Sequence, residues 1–413
     1  MAWSPNPTLT IGTTDYTGQA LESLRITRGR TEIYDEPRAG YLICELLAKD
    51  GQQLGITPFQ RVTVTVDNTA GTPITLFSGL ITDTSASLFD TGVESGTTGS
   101  VTTIIAVGPL ALASRRQVAA AGRPSEKDGD RIEALLFEAL GAAWEETGGT
   151  WAQQQGTWET FDQGLDLERI DDPGVFDIAA LDPQDGGYDA LARAYLTALS
   201  AQGVLWDDRE GFIAYADADR RVLTDQADDY LTLPTSALGS QGVSVVSQGG
   251  DIVNAVSVAF DGGVIDLRDP GSILRLGRLD RTFETNLANQ SNATAWAERY
   301  LVNHSGPILK LQQLTSRLDT LDDDALVDQL LELDVNDGIR LSGIPQTLGL
   351  SFRRTFLEGI AWTIDRHRIV LALNLSDAAL SIGFQRWSSV DSSLAWQDVA
   401  ATLTWQDATT VTA

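Results

Sequence analysis

Apolar residues recur along this chain at two periods, and the places where one gives way to the other divide it into parts. Val62, Val64 and Val66 alternate with Arg61, Thr63 and Thr65, the period of two expected of a half-buried strand. Asp67 to Gly71 breaks that pattern, and Ile74 to Thr82 resumes an extended apolar run. After the Gly- and Thr-rich stretch 91–100, the β-branched segment Val101 to Val107 follows. Residues 1–115 therefore read as a compact antiparallel β domain, a barrel or a sandwich.

Beyond Arg115-Arg116 the period lengthens. Ile132, Leu135, Leu136, Ala139, Leu140 and Ala143 fall on one helical face, with Asp128 and Asp130 near its positive end. Tyr188, Leu191, Ala192, Tyr195, Leu196 and Leu199 repeat that spacing. The Gly-, Gln- and Trp-rich stretch 147–164 between them predicts an extended loop or hairpin. Val204 to Trp206 and Phe212 to Tyr215 flank Asp207-Asp208-Arg209-Glu210-Gly211, a β-hairpin signal. From about 241 strands return: Ile252, Asn254, Val256, Val258 and Phe260 share a face. Ala293, Trp296, Ala297, Tyr300 and Leu301 predict a helix with Asn292 as its N-cap. Leu326, Val327, Leu330 and Leu331 predict a short one, and Ile339 to Leu341 and Ile369 to Leu375 read as strands. The fold class is mainly β with an α/β insertion, an α+β chain in four parts: 1–115, 116–240, 241–376 and 377–413. The last part holds three nine-residue units led by Trp387, Trp396 and Trp405, read as hairpin strands because three short copies are too few for a solenoid.

Composition narrows the chemistry. The 413 residues exceed one usual domain and are 42% hydrophobic, the profile of a globular protein. No apolar run approaches the roughly 20 residues of a membrane span, and Met1 to Pro5 lacks the features of a secretory signal, so assembly in a cytoplasm is expected. Against 57 acidic side chains stand 29 basic ones, a formal charge of −28, which disfavours nucleic-acid binding by counterion release. The same charge suits either simple solubility or a conduit through which DNA passes without adhering.

Cys44 is the single cysteine and lies in an apolar run, so a disulfide framework and a Cys-based zinc site are excluded and a core thiol is expected. Histidine occurs at 304 and 367 only, outside any metal or triad pattern, and both are read as surface or structural. Asp207, Asp208 and Glu210 could be assembled into a carboxylate pair, but Asp and Gly are expected in a hairpin turn for backbone reasons. Asp128-Gly129-Asp130 and Asp217-Ala218-Asp219 are fragments of a calcium loop only. No phosphate-cradling glycine motif is present. Catalytic residues, cofactor and resident metal are therefore all expected to be none. The tryptophans of 151–158 and of the C-terminal units are the one feature suited to binding, since exposed rings stack on sugars and anchor interfaces. Trp151, Trp158, Trp387, Trp396 and Trp405 are the candidate partner or glycan contacts, with structural packing as the competing reading.

Several segments, taken in order, resemble the tail hub or minor tail proteins of siphophages and, more remotely, the central baseplate hub of contractile-tailed phages. They are Leu24 to Arg30, Pro37 to Gly40, Leu46 to Gly51 leading to Pro58, and Leu76 to Asp83. Next come Ser200 to Gly203 with the hairpin to Tyr215, Arg220-Arg221, and Asp251 to Val258. Gly277-Arg278 with Thr282, the helix 293–302, Leu333 to Gly338 and Leu357 to Ile360 complete the series. The resemblance covers about 20–376 and leaves out the Trp-led tail. It implies two β-barrel hub domains (1–115 and 241–376) per subunit, an outward-facing insertion, and a homotrimeric ring that continues the tail tube. It also implies a place at the virion tail tip. The implied partners are the distal tail protein, the C-terminus of the tape-measure protein, and receptor-binding or other tip proteins. DNA would pass in transit only, without specific nucleic-acid binding or membrane insertion. Two other readings compete: a peripheral adhesin binding host-surface glycans through its tryptophans, and a glycan hydrolase using paired carboxylates.

Overall fold

A computed structural model of the chain describes residues 3, 5–20, 24–33, 35–49, 53–90, 98–140, 164–239, 243–247, 249–307, 309–311, 313–344, 354–365 and 368–382. Its main element is one twelve-stranded sheet built from both ends of the sequence. The strand Leu24–Gly29 pairs on one side with Arg38–Lys49 and on the other with Arg354–Ile364, antiparallel in both cases. Thr98–Val107, Pro73–Asp90, Arg61–Asp67 and Thr8–Ile11 continue the sheet in one direction. Gly338–Ser342 and Leu231–Pro234 extend it in the other, and Ile369–Asp377 pairs with Arg354–Ile364.

The expectation of two β-barrels is corrected here: the described strands form no closed barrel, and Gly338–Ser342, Arg354–Ile364 and Ile369–Asp377 of the second expected barrel join the sheet of the first, while Ala255–Phe260, Gly263–Arg268 and Asp280–Glu284 form a separate sheet. The physical reason is that alternation fixes which side chains face inward but not which strand lies alongside. One core accordingly draws on both ends, with Ile26, Leu42, Val64 and Ile104 packed together with Leu330, Leu341, Trp362 and Leu371. In the strand Arg61–Asp67 the valines are buried while Arg61 points outward, as the period of two requires.

A second cluster fills the insertion. The helices Asp128–Leu140 and Ala190–Ser200 pack through Ile132, Leu135, Leu136, Ala190 and Ala194 against Leu205, Ile213 and Tyr215 of the predicted hairpin. Asp189 caps the second helix, its carboxylate accepting from the Ala192 amide at 2.7 Å. A third cluster packs the helix Gln290–His304 on the strands Ala255–Phe260, Gly263–Arg268 and Asp280–Glu284. The predicted apolar stripe of this helix is buried, and Trp296, Tyr300 and His304 stack in succession at i, i+4 and i+8. Its N-cap is Asn289 rather than Asn292: the Asn289 side chain accepts from the Asn292 amide at 2.9 Å. The helix starts three residues earlier than its apolar stripe suggests because its first turn is polar.

Cys44 is buried and unpaired in the large core, where burial pushes its thiol up to about 12. His304 is also buried, its Nδ1 2.8 Å from the Tyr300 carbonyl, and burial lowers its pKa to about 4. His367, the stretch 147–163 and the C-terminal units fall outside the described residues.

Candidate functional site: a charged seam and an exposed strand edge

The three clusters meet along a seam rich in buried charge. Glu358, fully buried on the strand Arg354–Ile364, accepts from Arg30 Nε at 2.6 Å, Arg221 Nη1 at 2.7 Å and Ser376 Oγ at 2.5 Å. Burial by itself would raise its pKa, but the Arg221 and Arg30 guanidinium groups hold the carboxyl down to about 2. Arg221 comes from the helix Arg220–Gln226 and also donates through Nε to Asn336 Oδ1 at 2.6 Å and through Nη1 to Ser381 Oγ at 2.7 Å. One carboxylate thus ties the first long strand pair, the insertion and the C-terminal strands together. Removing either sign would leave an uncompensated charge in a low dielectric.

A second knot lies beside it. The hairpin Asp207 is buried and its two oxygens accept from the Gly40 amide at 2.7 Å and the Leu110 amide at 2.9 Å, which fastens the insertion to the large sheet. Gly108 is required here, since a Cβ at that position would lie 2.1 Å from Asp207 Oδ2. Burial raises the Asp207 pKa to about 7 against the pull of those two amides. Asp208 turns inward on its own loop, accepting from Glu210 N at 2.9 Å and Phe212 N at 2.8 Å, and it pairs with Arg169. Burial raises it to about 6. Arg28 closes the knot by pairing with Asp334. Of the carboxylates of the hydrolase reading, Asp207 and Asp208 are thus engaged with backbone amides, and Asp208 and Glu210 pair with Arg169.

Away from the seam the strand Pro73–Asp90 outruns its neighbour. Arg61–Asp67 pairs with it only as far as Leu80, while Thr98–Val107 follows the other side to Asp90. Among the described residues no strand pairs with the outer edge of 82–90, and residues 83–88 are exposed, Leu88 at 84%. Such an edge presents unpaired amides and carbonyls to another chain.

The tryptophans singled out as contacts, Trp151, Trp158, Trp387, Trp396 and Trp405, all lie outside the described residues. Among the described residues no group of three or more His, Cys, Asp or Glu is arranged to hold a metal ion, and no helix is long and apolar enough to cross a membrane. What the chemical reading of single residues missed is the seam. Arg28, Arg30, Arg221, Asp334, Asn336 and Glu358 look like ordinary charged and polar residues in sequence. Their signal was positional: every one falls inside a segment that carried the tail-hub resemblance.

No protein-family model and no curated protein sequence matches the chain. Solved structures do. The 43 kDa tail protein of prophage MuSo2 from Shewanella oneidensis superposes with a TM-score of 0.57 at 12% identity, covering 92% of this chain and 99% of that one. A tail protein from Neisseria meningitidis MC58 gives 0.57 at 13% identity, with 92% and 99% covered. At such identity the shared property is the path of the backbone, and it extends over nearly the whole of both relatives. The chain has the fold of these prophage tail proteins.

Proposed function

We propose that this chain is a structural protein of a phage tail, a hub at the tail tip that assembles with two further copies into a ring closing the tube, and that it has no catalysis of its own. The observation that carries the reading is the fold held in common with two prophage tail proteins over 92% of the chain. Two features support self-assembly in particular. The edge along 82–90, which no described strand pairs, offers a second chain a ready ladder of backbone hydrogen bonds, and the charge-pinned seam ties distant segments of the subunit together. The net charge of −28 suits a passage for DNA that must not adhere to its wall. In this reading the partners are the chain itself, the distal tail protein, the end of the tape-measure protein and the receptor-binding or other tip proteins. The part 116–240 faces outward.

Mass measurement in solution tests the proposal: a trimer is expected, alone or on adding the distal tail protein, and a strictly monomeric chain under both conditions overturns it. Leu88→Lys puts a charge on the exposed edge strand without touching a core, so it should leave the monomer folded and weaken the trimer at least tenfold. Reconstruction of intact tails should place the chain on the tail axis.

A further inference from the structure

The loop that leads into the strand Arg61–Asp67 holds one residue against its own preference. Phe59 has a φ of +67°, a left-handed conformation that is an outlier for a bulky side chain. Two backbone hydrogen bonds fix it there: the Phe59 amide donates to the Ile81 carbonyl at 2.7 Å, and the Gln60 carbonyl accepts from the Ile81 amide at 3.0 Å. Other non-glycine residues with positive φ include Asn6, Asp228 and Asn336, of the types that tolerate it, and among the described residues Phe59 is the one aromatic. Burial does not account for the ring. Phe59 is 63% exposed and joins none of the three cores. Glycine would suit the backbone better and lose little packing.

Ile81 is also the residue after which the strand Pro73–Asp90 has no outer neighbour among the described strands, so Phe59 stands at the head of the exposed edge 82–90. The sheet face bordering that edge is apolar as well. Ile104 and Ala106 are buried in the large core, so Val101 and Ile105 lie on the opposite face, with Ile43 and Leu47 beside them on Arg38–Lys49. All four are half-buried, and none belongs to a core cluster. Across 43–47, 53–60, 82–88 and 101–105 the charged residues are Glu45 and Asp83 alone.

We infer that Phe59 anchors a contact surface, made of the edge 82–88 and the apolar strip beside it, on which a second copy of this chain docks. Charge selects the occupant. Each copy carries −28, and like charges set against each other across an interface oppose association, so two copies meet at least cost where acid is sparse, as here. A basic partner would be drawn to the acidic surface elsewhere. Interface cores are poor in charge and rich in aromatic residues, which gives the Phe59 ring a use outside its own subunit. In a closed ring the contact is heterologous, so the neighbour presents a surface other than its own edge. The inference rests on the self-assembly proposed above and names the surface that carries it.

The test compares the full chain with Phe59→Gly and Phe59→Ala. Self-association is measured by sedimentation equilibrium under whichever condition gives the trimer, alone or with the distal tail protein, and urea unfolding is followed at a dilution where the chain is monomeric. Phe59→Gly removes both the ring and the strain, so it should raise the urea midpoint while weakening the trimer roughly tenfold or more. Phe59→Ala removes the ring and keeps the strain; it should weaken the trimer to a similar extent without raising the midpoint. A trimer unchanged by both substitutions overturns the inference and leaves the trimer itself standing, whereas a wild-type chain that stays monomeric under both conditions overturns the two together. Weakened binding of the distal tail protein at an unchanged self-association constant would give the surface to that protein and overturn the inference too. So would a midpoint lowered by Phe59→Gly, since the ring would then be packing on its own subunit.

Discussion

At the scale of single residues, the seam makes stability a matter of protonation. Glu358 is held near 2 when folded against 4.5 when free. It therefore contributes stability that is full above about pH 4.5 and is lost as pH falls toward 2. Asp128, Asp207 and Asp208 have the opposite sign: burial raises them to about 6, 7 and 6 from 3.8. Their ionised forms are penalised in the fold, so stability falls as pH rises from about 4 through 7. His304, lowered to about 4 from 6.5, loses stability as pH falls through that window and partly offsets them, one group against three. Denaturant midpoints measured from pH 8 to 2.5 should therefore rise on acidification, peak a little below pH ~4 and then fall, and Asp207→Asn should flatten the limb between 5 and 8. Glu358→Gln removes the carboxylate that pairs with both Arg30 and Arg221. Breaking a buried pair in this way costs about 3–5 kcal/mol, readable as a lower urea midpoint at unchanged slope. Cys44, buried with its thiol near 12, should resist an aromatic disulfide reagent in the native protein and react at once in denaturant.

At the scale of elements, the contact on which the sheet turns is between Leu24–Gly29 and Arg354–Ile364, more than 300 positions apart in the chain. Gly29 sits at the end of that pairing with φ of +80°, and a Cβ there would lie 2.4 Å from the Glu358 carbonyl oxygen and 2.9 Å from Gly359 Cα. Both the backbone conformation and the space demand glycine. Gly29→Ala should destabilise by more than about 1 kcal/mol, whereas Gly12→Ala, with positive φ but open space around it, isolates the conformational share of the effect. Most elements were legible from periodicity alone. The strand Arg61–Asp67, both insertion helices, the hairpin around Asp207 and the stripe of Gln290–His304 follow from it, because local burial repeats with the local geometry. The cap at Asn289 was not legible, since Asn289 and Asn292 are equally good capping residues and only the path of the preceding chain decides between them.

For the whole molecule, both ends of the chain supply one core, which makes the N-terminal region dependent on partners far along the sequence. A fragment of residues 1–115 should therefore fail to fold alone: it keeps Leu24–Gly29 but loses Arg354–Ile364, together with the Leu330, Trp362 and Leu371 side chains that cover Ile26 and its neighbours. A cooperative unfolding transition from that fragment would contradict this. By itself the sequence determined the α+β class, the positions of most elements, the buried thiol and the resemblance to phage tail proteins, all of which depend on residues near one another or on ordered short segments. Only the tertiary structure decided that strands from both expected barrels join one sheet, that Arg30, Arg221 and Glu358 share a buried site, and that the edge at 82–90 has no partner among the described strands. Strand pairing and buried charge are relations between distant residues, and alternation of apolar and polar side chains is the same whichever neighbour a strand finds.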